Sequence, residues 1–361
     1  MINNTRDKKR KILFWGELPP NTVHGISLSN GRILEALFQY FTVFKVEDRS
    51  SFGSVFRTLF SSLVSYLLLV INSLRQVDIF YVNTPMSRLG MWKVMIAIRL
   101  VLLCSPKVKV VSHLHRGDFV DFISDSKNRL LFDRFSKRIH RIFVLSNRSA
   151  LELTQSETID ISKVKVLHNT IEPSLTQGHI AFTGNSFSSK RIYYCLCNYI
   201  ESKRIHTLVS VANQLSLPVN FNGTASDESY LDSLKDIDAG SFCSFQGVIS
   251  GQDKEKKLNQ AKALVLPSLN EGMPLVILES LAQGTPVICY NIGYISDYLG
   301  DDYPGLINEH TEEALIAKIQ WFDSLSADEY QLLRERSFYL FWENFAPDKI
   351  NALTLHLFNE L

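Results

Sequence analysis

The segment from Ala263 to Tyr290 constrains this chain more than any other. A short apolar run, Leu264 to Leu266, breaks at Pro267-Ser268. After Glu271-Gly272-Met273-Pro274 comes a near-continuous apolar stretch from Leu275 to Ala282, with Glu279 as its one charge. Gly284 closes that stretch before a second apolar run, Val287 to Tyr290. Short runs that are apolar at every position read as strands covered on both faces, and the longer stretch between them reads as a helix buried nearly all round. An ionised carboxylate in such a helix is costly to bury without a partner. Glu279 therefore lies on the one wet edge or meets a polar ligand.

Strand, helix, strand in this setting is a βαβ unit, and its geometry marks a site. The loop after the first strand and the N-terminus of the helix lie outside the carboxyl ends of the strands, where open α/β sheets bind ligands. Gly272 lets a ligand approach the backbone, Pro274 suits the first helical turn, and the unpaired amides of that turn form an anion site with the helix dipole. Glu271 stands at the mouth. Glu279 follows eight residues later, roughly 12 Å away at about 1.5 Å per helical residue. Two carboxylates so placed cannot share one proton or one small metal. They suit opposite ends of an elongated, hydroxyl-rich ligand with an anionic middle, which is the shape of a nucleotide sugar.

The same alternation runs through the chain. In the first half Ile12 to Trp15, Thr42 to Val46, Ile79 to Val82, Val108 to Ser112, Ile142 to Leu145 and Lys165 to Leu167 read as strands between helical patterns, and Ile192 to Leu196 restarts the series. Glu172 to Lys190, rich in Ser, Thr and Gly, reads as an interdomain connection or a surface excursion. With 361 residues, 45% of them hydrophobic, the chain can bury two α/β domains. The expected division is 1–175, 176–345 and a last helix in 346–361, running from about Pro347 to Leu361.

Charge is distributed unevenly. Residues 1–175 hold 25 Lys and Arg against 14 Asp and Glu, a net +11, and the remainder is −10, so the chain as a whole is +1. A basic first half fits an anionic partner such as a membrane surface or a lipid diphosphate, or else offsets an acidic neighbouring domain. Leu59 to Leu74 carries no formal charge over sixteen residues and is flanked by Arg57 and Arg75. It is too short and too rich in Ser for a membrane span. It reads either as a helix packed on a parallel sheet or as a helix resting on a membrane face.

Asn3 to Lys11 is charged but leads into only four apolar residues before Gly16, too few for the apolar core of a signal peptide. The five cysteines (Cys104, Cys195, Cys197, Cys243, Cys289) match neither a zinc site nor a disulfide framework, and an odd count favours a reducing compartment. The expectation is a cytoplasmic protein, peripheral on the inner membrane face if Leu59 to Leu74 rests there.

Four further segments fall at strand ends. His24-Gly25 follows the first strand and precedes a helix from about Ser29. His113-Leu114-His115-Arg116-Gly117-Asp118 follows the fourth. His-x-His invites a metal reading, but no acidic pair stands nearby in ligand spacing, so no metal is expected. Cys197-Asn198-Tyr199-Ile200-Glu201-Ser202-Lys203-Arg204 opens the second half, and Phe245-Gln246-Gly247-Val248 lies further on.

Glu271 and Glu279 with the intervening Gly-Met-Pro, the leading Pro267-Ser268 and the trailing Gly284-Thr285-Pro286-Val287 resemble the Glu-x7-Glu signature of retaining glycosyltransferases of family 4. That resemblance implies the GT-B fold: α/β, two Rossmann-like doubly wound domains with a cleft between them, and a C-terminal helix crossing back to the N-terminal domain. The N-terminal domain would bind the acceptor and the C-terminal domain the nucleotide sugar.

The other segments resemble family loops as well. His24-Gly25 resembles the phosphate loop, with His24 where a second glycine usually stands. His115 matches a histidine near the reacting sugar. Lys203 matches the lysine beside the leaving diphosphate, while Asn198 stands in place of the family's arginine and Arg204 in place of its glycine. Either Arg204 supplies the missing guanidinium or Asn198 works through neutral hydrogen bonds. Gly247 and Val248 would hold the nucleotide base by main-chain contacts.

The resemblance thus assigns catalysis to His115, Lys203 and Glu271. Donor binding falls to Gly25, Asn198, Lys203, Arg204, Gly247, Val248, Glu271, Gly272, Met273, Pro274, Leu275 and Glu279. Glu271 would take the hexose hydroxyls and Glu279 the ribose. The implied activity is metal-independent transfer of a hexose from a UDP- or GDP-sugar to a lipid-linked or polysaccharide acceptor, with retention of configuration. It needs no cofactor and no nucleic-acid partner, and it fits synthesis of O-antigen, lipopolysaccharide, capsule or another surface polysaccharide. The competing expectations are a nucleotide-sugar epimerase of the same fold and a non-catalytic partner subunit.

Overall fold

The computed structural model describes residues 9–49, 55–156, 159–172, 192–225 and 227–361. The segment read as a connection, Glu172 to Lys190, lies almost wholly outside them, as does most of Asn3 to Lys11. The chain forms two compact units, Met1–Asn169 with Asp348–Leu361, and Thr170–Pro347. The second unit begins six residues before the expected boundary at 175/176.

The first unit holds a parallel six-stranded sheet. Its strands are β1 (Lys11–Gly16), β2 (Thr42–Glu47), β3 (Ile79–Asn83), β4 (Lys109–His113), β5 (Arg141–Val144) and β6 (Val164–Val166), in the order β2-β1-β3-β4-β5-β6. Every one falls within two residues of the run that predicted it. Successive side chains of a strand point to opposite faces, and β1 shows the consequence. Leu13 and Trp15 enter a core shared with α2 (Val55–Ser73), α3 (Arg88–Cys104) and α5 (Ser126–Ser136). Ile12 and Phe14 enter a second core shared with α1 (Gly25–Phe38) and α14 (Pro347–Asn359). The sheet is covered on both sides, as its apolar strands require.

Helix α14 joins the first unit through Ile350, Leu357 and Phe358, and the terminal Leu361 follows it into the same core. The Phe358 ring lies 5.6 Å from Phe143, 6.2 Å from Tyr81 and 6.3 Å from Phe41. The return of the C-terminus to the N-terminal sheet is therefore an act of aromatic burial.

The second unit repeats the plan with a different strand order. Its strands are β7 (Tyr193–Leu196), β8 (Val219–Asn222), β9 (Cys243–Gln246), β10 (Leu264–Leu266), β11 (Val287–Tyr290) and β12 (Leu306–Ile307), ordered β12-β11-β10-β7-β8-β9. Phe245 and Gln246, read as loop, end β9. Helix α10 (Leu275–Ala282) connects β10 to β11 and is buried almost throughout. Helix α13 (Ala327–Asn344) closes its far end, where Arg334 Nε donates to Gly284 O at 3.1 Å and Trp342 Nε1 to Ala282 O at 3.3 Å.

Both sheets have a switch point where chain progress reverses direction: between β1 and β3 in the first, between β7 and β10 in the second. Ligands of doubly wound sheets bind outside the strand ends at such points.

Candidate active site

At the switch point of the second unit, the loops after β7 and β10 meet. Leu269 N donates to Ser202 O at 2.9 Å, which ties the two loops together. Lys203 Nζ reaches Glu271 Oε1 at 2.5 Å. The carboxylate is 9% exposed, so the contact is a partly desolvated ion pair whose neighbours decide its worth more than its Coulomb energy does. An ammonium has three donors. Lys203 can therefore hold Glu271 and a phosphate oxygen together.

Glu279 lies elsewhere. It is 4% exposed on α10 and takes Lys254 Nζ on both carboxylate oxygens at 3.0 Å. Lys254 comes from α9 (Gly251–Gln260). The sequence argument left Glu279 a wet edge or a polar ligand; the structure supplies a lysine instead. That partner was not legible because Lys254, Lys256 and Lys257 stand together, and only the packing of α9 on α10 selects one. The path from Glu271 to Glu279 is also not one helix, since α10 starts at Leu275.

Pro274 occupies the cap position before α10, with φ −66° and ψ 126°, rather than the first helical turn, and no side chain caps this end. The amides that open the helix therefore keep their affinity for an anion. Gly272, Met273, Pro274 and Leu275 form the approach to this end, with Met273 and Leu275 buried.

The neighbouring loop carries the two exchanged positions, Asn198 and Arg204. Arg204 caps the short turn Glu201–Lys203 at φ 50° and ψ 40°. That left-handed conformation is one glycine adopts freely and other residues at a cost. Its guanidinium stacks over the Tyr290 ring at 5.4 Å and donates to His310 O at 2.9 Å. Arg204 thus takes a backbone conformation that favours glycine, and its described side-chain contacts run to Tyr290 and His310. Asn198 Oδ1 accepts from Thr224 Oγ1 at 3.0 Å, fixing the β7 loop against the loop after β8.

Gly223 escaped the sequence reading. A Cβ on Gly223 would sit 2.0 Å from Cys197 O, so only glycine lets the loop after β8 pass behind Asn198. Cys195 and Cys197 bring their sulfurs to 3.6 Å beside this loop. The hydrogen bond to Cys197, with burial, pushes the Cys195 thiol well up, so it stays protonated. Asn-Gly after an apolar run was the available signal for Gly223. Gly247 differs: an added Cβ there meets open space, its carbonyl accepts from Asn222 Nδ2 at 3.0 Å, and Val248 is exposed.

In the first unit, Gly25 opens α1, and His24 caps it. His24 Nδ1 accepts from Ser27 N at 3.4 Å, so Nε2 carries the proton toward Glu17 Oε2 at 2.7 Å. An added Cβ on Gly25 also meets open space. Beneath this loop Asn30 and Asn83 exchange hydrogen bonds of 2.9 and 3.0 Å across the β1/β3 switch point.

His115 leaves β4 at the same end. Its ring lies 4.0 Å from that of His113, which is held by Tyr81 at 2.8 Å. Burial first, then the neighbouring His24 imidazole, pulls His115 down to about 3, so it is neutral across the physiological range. His115 Nε2 is buried with no hydrogen-bond partner among the described residues. A polar atom in that condition costs stability unless a ligand meets it.

Among the described residues no group of three His, Cys, Asp or Glu side chains is arranged to hold a metal. The Asp-x-Asp triplet of the chain, Asp236-Ile237-Asp238, ends α8 (Glu228–Ile237), where Asp238 accepts from the amides of Phe242 and Cys243 at 3.0 and 3.1 Å. No helix of the described residues is long and apolar enough to cross a membrane.

Known proteins match the chain in sequence and in fold. Residues 179–336, within the span of the second unit, match the family model described as Glycosyl transferases group 1. TuaC of Bacillus subtilis, named as a glycosyltransferase of teichuronic acid biosynthesis, is 35% identical over 77 residues, 21% of this chain and 20% of its own. The O-antigen chain mannosyltransferase B of Escherichia coli is 30% identical over 119 residues, 31% of this chain and 30% of its own. The matches thus span less than a third of these relatives. HepE of Anabaena, solved with UDP and glucose, superposes with a TM-score of 0.74 at 16% identity, covering 98% of this chain and 100% of that one. Two parallel six-stranded α/β units of this kind are the GT-B fold.

Proposed function

We propose that this chain is a retaining, metal-independent glycosyltransferase. It moves a hexose from a UDP- or GDP-sugar to a lipid-linked saccharide in the assembly of a surface polysaccharide such as O-antigen or capsule, at the inner membrane face. The observation that carries the reading is the Lys203–Glu271 pair at the β7/β10 switch point, beside the uncapped start of α10.

In this reading the diphosphate lies against Lys203 and the first amides of α10, which meet the charge that grows as the sugar leaves. Glu271 takes the hexose hydroxyls. Glu279, presented by Lys254, takes the ribose, and the backbone at Gly247 and Val248 holds the base. The bond from the anomeric carbon to the phosphate oxygen breaks, and the acceptor oxygen bonds to the same carbon on the same face. The acceptor's proton passes to the departing phosphate oxygen, so no protein nucleophile is needed. His115, neutral and on the first unit, takes a sugar or acceptor oxygen.

Support comes from the group 1 match over the second unit, from relatives named for surface polymers, and from a structural neighbour that holds UDP and glucose. The test is a thermal-shift and transfer screen over UDP- and GDP-sugars. The Glu279→Ala variant is expected to raise KM for the donor about 5- to 150-fold, the loss of a buried hydrogen-bonding partner worth about 1–3 kcal/mol. Glu271→Ala is expected to lower kcat. Wild-type kinetics in both variants would overturn the assignment, and turnover of donor to an isomeric nucleotide sugar without acceptor would make the protein an epimerase.

A further inference from the structure

Helix α2 is turned inside out. Among its described residues the buried positions are Ser65, Leu69 and Ser73, whereas Leu59 is 65% exposed, Leu63 56% and Leu67 56%. Ser73 Oγ satisfies itself within the helix, donating to Leu69 O at 2.6 Å. Beside it, α3 exposes Leu89, Trp92, Ile96 and Leu103 on one stripe. Contiguous apolar surface on this scale marks contact with something apolar. Neither helix contains an acid, and the exposed arginines near them are Arg75, over the Phe44 ring, Arg99, and Arg88, which pairs with Asp125. A surface that is apolar at its centre and basic at its rim complements an anionic bilayer better than a protein partner.

Where the two helices part, a cavity of about 1010 Å³ runs inward. Leu59 and Leu63 of α2 and Trp92 and Ile96 of α3 form its apolar walls. Its polar lining is Glu17, Asn83 and His115 by the β1/β3 switch point, with Arg116 and the Lys93–Asp48 ion pair, and His115 brings the unpartnered Nε2. Its size is at the upper end of the roughly 300–1,000 Å³ usual for small-molecule sites. Apolar walls opening at an apolar surface, with the orphaned His115 Nε2 at the inner end, describe the imprint of an amphiphile.

We infer that the cavity between α2 and α3 holds the hydrocarbon chain of a membrane amphiphile, which enters from the bilayer and presents its polar head at His115. The identification of that head as the sugar acceptor rests on the transferase reading; the binding of the chain does not. Ser62 lines the cavity and spends its hydroxyl on Thr58 O of its own helix, so enlarging it fills the cavity without stranding a partner.

The experiment titrates the full chain with an alkyl maltoside whose chain is brominated, kept below its micelle concentration. Trp15 and Trp92 both line the cavity, so bound chain quenches their fluorescence. Quenching should saturate in the wild type and weaken at least tenfold in Ser62→Phe and in Ile96→Glu, the latter at an exposed site that tolerates substitution. The pair Leu67→Glu with Ile71→Glu, outside the cavity, should leave the quenching within twofold while abolishing flotation with vesicles containing phosphatidylglycerol. Linear quenching, or quenching that both cavity variants keep, overturns the inference. So does a dimer, seen by light scattering, that Leu67→Glu with Ile71→Glu dissolves. A nucleotide-sugar thermal shift on the same protein separates the two readings: saturable quenching with no donor stabilisation sinks the transferase, and the reverse sinks the chain site.

Discussion

Arg204 and Gly223 show how a backbone requirement at one residue shapes the site. Arg204 accepts a left-handed conformation and recovers part of that cost by stacking on Tyr290. Gly223 has no such recourse, because any side chain meets Cys197 O. Gly223→Ala should therefore displace the β7 loop, lowering the melting temperature and weakening donor binding. Unchanged donor affinity in a folded variant would contradict the role assigned to this contact.

His115 makes a pH prediction. Its folded pKa of about 3 lies below the ordinary 6.5, so between those values the unfolded chain binds the extra proton. Stability is then complete above about pH 6.5 and declines as pH falls toward 3. Thermal denaturation from pH 7 to 4 should show this slope, and His115→Gln should flatten it. His113, whose pKa is also lowered well below 6.5 by burial, keeps part of the slope. An equal slope in both proteins would mean that His115 does not couple to folding.

At the scale of elements, α10 and α2 are opposites. Helix α10 is apolar and buried, and periodicity in the sequence said so. Helix α2 is equally apolar, and there the sequence left two readings open. The packing reading holds for part of it: a narrow face of Ser65, Leu69 and Ser73 is buried, and its other large apolar side chains turn outward. Hydropathy cannot show this, because burial depends on what the neighbouring element supplies. Leu69 is fully buried and Leu68 exposed. Leu69→Ala should cost about 2–5 kcal/mol, and Leu68→Ala less than about 0.5 kcal/mol. Denaturant unfolding measures both, and similar losses would show that α2 packs through another face.

For the whole molecule, the consequential feature is that the last helix belongs to the first unit. Ile350, Leu357, Phe358 and Leu361 are buried there, each worth about 1.5–3 kcal/mol when fully buried. Their sum is comparable to the roughly 5–15 kcal/mol that holds a domain folded. A chain ending at Ala346 should lose the cooperative unfolding of the first unit while the second keeps its own. Two separated transitions in calorimetry, with the lower one shifted down or absent, are the expected result; an unchanged profile would refute it.

The sequence by itself determined the α/β class, nearly every strand of the first sheet, and the segment around Glu271. These are local: continuous apolar runs, turn residues and a helix start are written in neighbouring positions, and burial on two faces follows from the runs. Strand order, and with it the two switch points, was settled only by tertiary structure. The same holds for the pairing of Glu279 with Lys254, the turning of Arg204 onto Tyr290 and the outward face of α2. Each of these joins residues distant along the chain, and which of several chemically equal candidates meet is decided by how the elements pack.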